Sequence, residues 1–350
     1  MTVVESAALT AAIPSPRTPL PGERMAGRAP AGTSDTRARR RLVVRWLLVS
    51  ALGLSFAVTC AIVGLPTDRV VLLGWVVAGL ALYAVADGPR RVGRLLADWL
   101  PLVALLLAYD ASRGLADGFG ATVHVAELAT ADRWLSGGSL PTVVLQQYWQ
   151  ADWWKAVASL VYASHFVVTP VVLGVLWVRN RDRWKTFARL VVGLSAAGLA
   201  TYVLYPAAPP WLAAKDGVIE PVRRLSGAGW EVLGLPRAGA LLADSQGQVN
   251  QVAAVPSLHT AFAVLVCLVL LPVARRRWQR VVLLGYGPAM AVVLVWAGEH
   301  YVIDTLLGAV YAVAVVLVAA QWRAWRRRMS PRTLPGTATH ERVPAPTVDA

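Results

Sequence analysis

The chain has 350 residues, of which 56% are hydrophobic and only 15% are charged, and its formal net charge is +14. A soluble protein of this length needs more charge to cover its surface, so the composition excludes a soluble globular domain and indicates a membrane protein. The basic residues stand in short blocks between apolar runs, which is typical of membrane topology and argues against a nucleic-acid partner.

Residues 1–41, rich in Ala, Pro, Ser and Thr, predict a disordered cytoplasmic tail. Eight apolar runs of about 17–25 residues follow, the length needed to cross a hydrocarbon layer about 30 Å thick. The predicted spans are 43–64, 69–86, 95–112, 154–178, 187–205, 256–273, 280–297 and 301–322. We therefore expect an all-α, polytopic membrane bundle of about eight helices. It divides into two accessory spans over 42–94, a six-helix core over 95–322, and a basic flank with a second disordered tail over 323–350.

Arg-rich blocks orient the bundle, because they fall on one side if every run crosses the membrane. They lie at 37–45, 90–94, 179–185, 275–280 and 323–328. The positive-inside rule then predicts a multi-pass protein of the cell membrane with both termini in the cytoplasm. The two longest loops, 113–153 and 206–255, are expected outside. Within the first, residues 140–154 have the composition of a helix lying in the membrane interface.

His300 and Asp304 stand at the start of the last apolar run. A spacing of four residues places both side chains on one helix face, about one turn apart. There a carboxylate can accept the imidazole Nδ1–H, fix the tautomer and leave Nε2 as a nucleophile. The same spacing also suits a structural His–Asp pair, although acids inside membrane helices are costly and usually functional.

Pro256-Ser257-Leu258-His259 opens the sixth apolar run. Proline suits the first turn of a helix, whose free N–H groups can bind phosphate at Ser257 and Leu258. His259 can protonate a leaving oxygen, although the stretch alone is also that of an ordinary capped helix. His300 follows 41 residues later, after one span inward and one span back. The two histidines are therefore predicted to meet at the outer membrane face.

The two stretches resemble motifs of the type 2 phosphatidic acid phosphatase superfamily. Ser257-Leu258-His259 is similar to its second motif, and His300 to Asp304 is similar to the end of its third. The resemblance implies that His300 attacks phosphorus, that Asp304 orients it, and that His259 acts as acid and then as base. It also implies a reaction without metal or cofactor.

Further stretches resemble the inositol phosphotransferase branch, which includes fungal inositol phosphorylceramide synthase. They are Tyr109-Asp110 with Arg113, Asp132-Arg133-Trp134-Leu135, Tyr205-Pro206-Ala207-Ala208-Pro209-Pro210 and Gly298-Glu299-His300-Tyr301. The resemblance covers roughly residues 95–322. It leaves the first two spans and both tails outside.

The chain departs from the general superfamily pattern in its cations. It has no Lys-x6-Arg-Pro first motif, and Leu294 stands where the third motif usually has Arg. Because negative charge spreads over the equatorial oxygens of the transition state, other cations are needed. Arg113 is our first candidate for binding phosphate, because Asp110 stands one turn before it. Lys215, Arg223 and Arg224 are further candidates, although each is equally a solvated loop charge.

His165 lies in the middle of a predicted span. It is either a supporting residue beside the site or a hydrogen-bonded histidine of the core. Asp110 and Tyr301 are further candidates for supporting roles.

The resemblance implies an integral membrane phosphotransferase that acts on a lipid phosphate or phospholipid, with inositol phosphate as the group that the branch favours. If water replaces the acceptor alcohol, the same residues make a phosphatase for a polyprenyl or diacylglycerol phosphate, and exclusion of water decides between the two. A non-enzymatic transporter or scaffold would instead distribute polar residues at mid-depth. The lipid, the acceptor and the oligomeric state stay open.

Overall fold

The computed structural model describes residues 32–62, 69–115, 122–237, 239–240 and 250–329. Within these ranges the regular structure is helical and contains no β-strand. The predicted all-α class is confirmed.

The helices, numbered in chain order, follow the predicted apolar runs. They are α1 (Gly32–Ile62), α2 (Arg69–Val85), α3 (Pro89–Leu115), α4 (Ala126–Leu135), α5 (Pro141–Tyr148), α6 (Asp152–Arg179), α7 (Arg181–Leu204), α8 (Pro210–Lys215), α9 (Gly229–Val232), α10 (Leu258–Leu270), α11 (Arg277–Trp296) and α12 (Val302–Met329). A 3₁₀ turn, Leu271–Val273, extends α10. α1 begins eleven residues before its predicted span and α12 ends seven residues after its own, so both basic flanks continue as helix.

Six helices in the described ranges are long and apolar enough to cross a membrane. The candidate spans are Leu42–Thr59, Pro89–Tyr109, Asp152–Arg179, Arg181–Leu204, Arg277–Trp296 and Val302–Met329. The other two predicted spans correspond to shorter apolar helices, Val71–Val85 and Leu258–Val273. The predicted interfacial segment 140–154 is divided, because the chain leaves α5 after Tyr148 and enters α6 at Asp152.

α10 lies at the centre of the bundle and packs against α12, α11, α7 and α6. Its buried face includes Ala261 and Leu265, neither of which is exposed. α12 crosses it closely at Gly308, where an added Cβ would lie 2.3 Å from the Ser257 carbonyl oxygen. Only glycine permits this crossing, which brings the starts of α10 and α12 together.

Three loop segments form a small backbone layer beside these two helix starts. The amide of Ala207 donates to the Val252 carbonyl at 2.7 Å, and the amide of His124 donates to the Pro206 carbonyl at 2.9 Å. The Tyr202 hydroxyl donates to the Pro256 carbonyl at 3.0 Å. These bonds fix the chain that leads into α10.

Candidate active site

His300 and Asp304 lie side by side where α12 begins. The His300 Nδ1 atom is 3.6 Å from the Asp304 Oδ2 atom, which is an ion-pair contact longer than a hydrogen bond. The backbone amide of Tyr301 donates to the same carboxylate at 2.9 Å. Both side chains are buried, Asp304 completely. We predicted that the pair shares one helix face, but His300 precedes Val302, the first residue of the helix. The His300–Asp304 contact still forms, because the Asp304 carboxylate in the first turn of the helix points back toward the residues that precede it.

His259 lies in the first turn of α10, and its ring centroid is 5.6 Å from that of His300. The amide of Ser257 donates to the Asp304 carbonyl at 3.0 Å, so a backbone bond ties the two helix starts. Asp304 faces Nδ1 of His300, so Nε2 is the nitrogen of the His300 ring that remains available as a nucleophile. The structure thus brings together the three residues for which we predicted a catalytic role; the roles themselves stay predictions.

Aromatic rings surround His259. The His165 ring is 4.2 Å away between centroids, and Tyr162 stacks on His259 at 5.2 Å. A cavity of about 40 Å³ adjoins both catalytic candidates. It is lined by Tyr109, His165, Tyr202, Ala253, Leu258, His259, Phe262 and His300. His165, which we predicted as a supporting or a core histidine, is therefore a wall of the candidate site.

The residues predicted to bind phosphate fall in different places. Leu258 lines the cavity, whereas Ser257 is fully buried and accepts the Thr260 amide at 3.4 Å as the N-cap of α10. Lys215 is exposed at the end of α8. The side chains of Arg113 and Asp110 lie outside the described residues, although the backbone of both belongs to α3.

Tyr301, predicted as a supporting residue, is completely buried beside the site. It packs in an apolar cluster with Leu140, Ala207 and Val255. Its side chain therefore holds the backbone layer against the start of α12.

Arg224 is the cation candidate whose contacts reach the histidine segment. Its guanidinium donates to both carboxylate oxygens of Glu299, at 2.8 and 3.1 Å, and Glu299 directly precedes His300. The same guanidinium lies 4.7 Å above the Trp211 ring. Leu294, where the superfamily usually has Arg, is completely buried in an apolar cluster. A cation at that position would be buried, so the positive charge has to come from another part of the chain.

Asp132 is a residue whose role sequence reasoning missed. Its carboxylate is completely buried and accepts the backbone amides of Val302 at 2.8 Å and Ile303 at 2.9 Å. It therefore caps the first turn of α12, directly after His300. Burial raises the pKa of the Asp132 carboxyl, whereas the two backbone hydrogen bonds oppose this by favouring the charged form. Its motif with Arg133 pointed to a family branch, but 170 residues of sequence separate it from the helix that it caps.

Among the side chains that the structure describes, no group of three or more His, Cys, Asp or Glu stands where it could hold a metal ion.

Comparisons with known proteins give one family. The family model described as the PAP2 superfamily matches residues 126–318, more than half of the chain, and this segment contains both histidine motifs. A curated relative, the phosphoinositol dihydroceramide synthase of Bacteroides thetaiotaomicron, is 30% identical over 283 residues. The alignment covers 75% of this chain and 86% of the relative. No solved structure matches the chain. The family match and the extent of the relative's similarity show that this chain belongs to the PAP2 superfamily.

Proposed function

We propose that the chain is an integral membrane phosphotransferase that moves a lipid-linked phosphate group through a phosphohistidine at the extracytoplasmic face. The observation that carries the proposal is the 5.6 Å separation of the His259 and His300 rings, with Asp304 beside His300. At this separation, one imidazole can attack phosphorus while the other reaches the departing oxygen.

In the first step, the Nε2 lone pair of His300 forms an N–P bond, and the P–O bond to the lipid alcohol breaks. His259, as the imidazolium, gives its proton to the departing oxygen, and the lipid alcohol leaves. Asp304 faces Nδ1 of His300 and stabilises the positive charge that grows on the ring.

In the second step, the oxygen of an acceptor alcohol attacks phosphorus and the N–P bond breaks. Neutral His259 takes the proton of that alcohol, so both histidines return to their starting states. An alcohol gives transfer, and water gives hydrolysis. Tyr162 and Phe166 pack against His259, and Phe262 lines the same cavity beside His165. This aromatic surface limits water and favours transfer.

The negative charge of the transition state needs positive partners. The N-terminus of α10 begins at Leu258 in the cavity wall and carries the positive end of a helix dipole. Arg224 pairs with Glu299, the residue before His300, and so brings a guanidinium group to the histidine segment. These two groups support phosphate binding where the usual family arginine is absent.

The group transferred is, in our proposal, phosphoinositol. The curated relative is named a phosphoinositol dihydroceramide synthase, and the sequence motifs resemble the inositol phosphotransferase branch. The donor is then a glycerophospholipid that carries phosphoinositol, and the acceptor is a lipid with a free primary hydroxyl.

The test is incubation of the purified protein, in vesicles, with phosphatidylinositol radiolabelled in its phosphate and with dihydroceramide. The expected product is a labelled inositol phospholipid that resists mild alkaline cleavage of acyl esters. His300→Ala should reduce its formation to the background rate, because the imidazole proposed to form the N–P bond is removed.

His124→Ala is the matched control, since His124 stacks on Tyr205 and pairs with Glu127 away from the cavity. It should keep most of the activity. Unchanged turnover in His300→Ala would contradict the mechanism. Labelled inositol phosphate or free phosphate without a new lipid would instead show hydrolysis.

A further inference from the structure

A second, larger cavity adjoins the catalytic one inside the bundle. It has a volume of about 100 Å³ and lies between α2, α3, α6, α7 and α10. Tyr109, His165 and Phe262 line both cavities and form their common wall. The larger cavity therefore continues from the candidate catalytic histidines into the helices.

The lining of this cavity suits hydrocarbon. The walls are mostly aliphatic or aromatic, with Leu73 from α2, Leu106 from α3 and Leu173 from α6. The polar side chains of the lining are those of Tyr109, His165, Thr169 and Ser195. Along α6 the lining runs from His165 to Leu173, a rise of about 12 Å at 1.5 Å per residue. An apolar cavity of this kind offers water few partners and gains from an apolar occupant.

The cavity also reaches the surface of the bundle. Leu107 lines it and is 40% exposed on the outer face of α3. A chain from the surrounding lipid can therefore enter beside Leu107 and lie with its polar end near His300.

We propose that this cavity binds the first methylene groups of one hydrocarbon chain of the lipid substrate, while the phosphate of that lipid lies between His259 and His300 and the rest of the chain leaves the bundle beside Leu107. The proposal rests on the proposed phosphotransferase function and names how its lipid is held. Four of the lining residues, Leu73, Leu106, Leu107 and Tyr109, precede residue 126, where the family match begins. Selection of the lipid chain thus depends partly on helices outside the matched segment.

Filling the cavity tests the proposal. Thr169→Phe places an aromatic ring in it, and Ser195→Leu adds a smaller, aliphatic group from α7. The matched control is Val171→Phe, two residues along α6, where the side chain is 46% exposed and outside the lining. The substrates are two phosphatidylinositols, one with long acyl chains and one with two-carbon acyl chains, which are too short to reach into the cavity.

We expect each filling variant to lower kcat/KM for the long-chain lipid roughly tenfold relative to the short-chain lipid, about the effect of 1.4 kcal/mol. Val171→Phe should leave this ratio as in the unaltered protein. Equal losses for both lipids in both filling variants, or an unchanged ratio, would overturn the chain-binding site even if transfer occurs.

A second measurement does not need turnover. Phosphatidylinositol with a diazirine in its acyl chain is photolysed in vesicles with His300→Ala protein, with and without Thr169→Phe. The site would be supported if peptides from α2, α3 and α6 are labelled, if Thr169→Phe abolishes this labelling, and if Val171→Phe leaves it unchanged. Labelling that Thr169→Phe does not change would overturn it. Absence of any transfer by the unaltered protein would count against the proposed function alone.

Discussion

At the scale of single residues, the candidate site depends on the different surroundings of its two histidines. His300 is 5% exposed and faces a completely buried carboxylate, whereas His259 is less buried and packs among Tyr162, His165 and Phe166. The first environment favours a ring that becomes positive when it bonds to phosphorus. The second is suited to passing a proton to an oxygen in the small cavity that both rings line.

This division of roles predicts a leaving-group effect in His259→Ala. With an alkyl phosphodiester donor, turnover should fall by about 10²–10⁴-fold, because the departing alkoxide has no proton donor. With a p-nitrophenyl donor, whose leaving group needs no proton, release of p-nitrophenol in the first turnover should be nearly normal. The protein should then hold an acid-labile phosphoryl adduct on His300.

Rapid-quench assays with both donors measure this difference. A Tyr148→Phe variant, altered at an exposed position, serves as the control and should treat both donors like the unaltered protein. Equal losses with the two donors would show that His259 does not protonate the leaving group.

At the scale of elements, the start of α12 is held by a carboxylate from a distant helix. Asp132 of α4 accepts the first two amides of α12, and Gly308 lets the same helix approach Ser257. A negative charge at a helix N-terminus is also favoured by the helix dipole. We therefore infer that Asp132 is a positioning residue, which holds the segment after His300 without touching a reacting atom.

We expect Asp132→Ala to lower the free energy of unfolding by about 1–3 kcal/mol for each buried amide left without a partner. It should also lower kcat much more than it changes KM, since the lipid cavity is unaltered while His300 loses its support. Asp132→Asn keeps one carbonyl acceptor, so its stability and kcat should lie between those of the unaltered protein and those of Asp132→Ala. Thermal unfolding in detergent and steady-state kinetics measure both effects.

Arg133→Ala is the matched control on the same helix. Its ion pair with Glu220 is largely exposed to solvent, and such pairs contribute at most about 1 kcal/mol. Loss of stability in Asp132→Ala with an unchanged kcat would show that the carboxylate holds the fold but not the catalytic geometry.

At the scale of the whole molecule, the charge pattern predicts which side of the membrane the histidines face. α6 and α7 meet at a basic turn, whereas α8 and the starts of α10 and α12 lie at the other end of the bundle's helices. The positive-inside rule places the basic turn in the cytoplasm and the histidines outside. A lipid donor and acceptor would then be used from the outer leaflet.

Single cysteines in a Cys60→Ala, Cys267→Ala background test this topology. Both probe positions are exposed: Lys215→Cys at the end of α8, and Arg183→Cys in the first turn of α7, beside the basic turn. A membrane-impermeant maleimide should label Lys215→Cys in intact cells, and Arg183→Cys only after the membrane is broken. The reverse pattern would place the proposed site in the cytoplasm.

The sequence by itself determined the class of the protein, the number and approximate ends of its apolar helices, and the two histidine motifs. These features are local, because hydropathy, helix spacing and short motifs are properties of neighbouring residues. They also implied that a helical hairpin of 41 residues returns His300 to the side of His259, and the ring separation of 5.6 Å agrees.

The tertiary structure alone decided which distant residues support that pair. Asp132 caps a helix that begins 170 residues later, Arg224 binds the residue before His300, and five helices line the apolar cavity. No periodicity or spacing encodes such contacts, since they depend on how whole helices pack and which loops cross the helix starts. The sequence therefore located the candidate reacting groups, and the packing of helices around them decided what holds them and which cavity adjoins them.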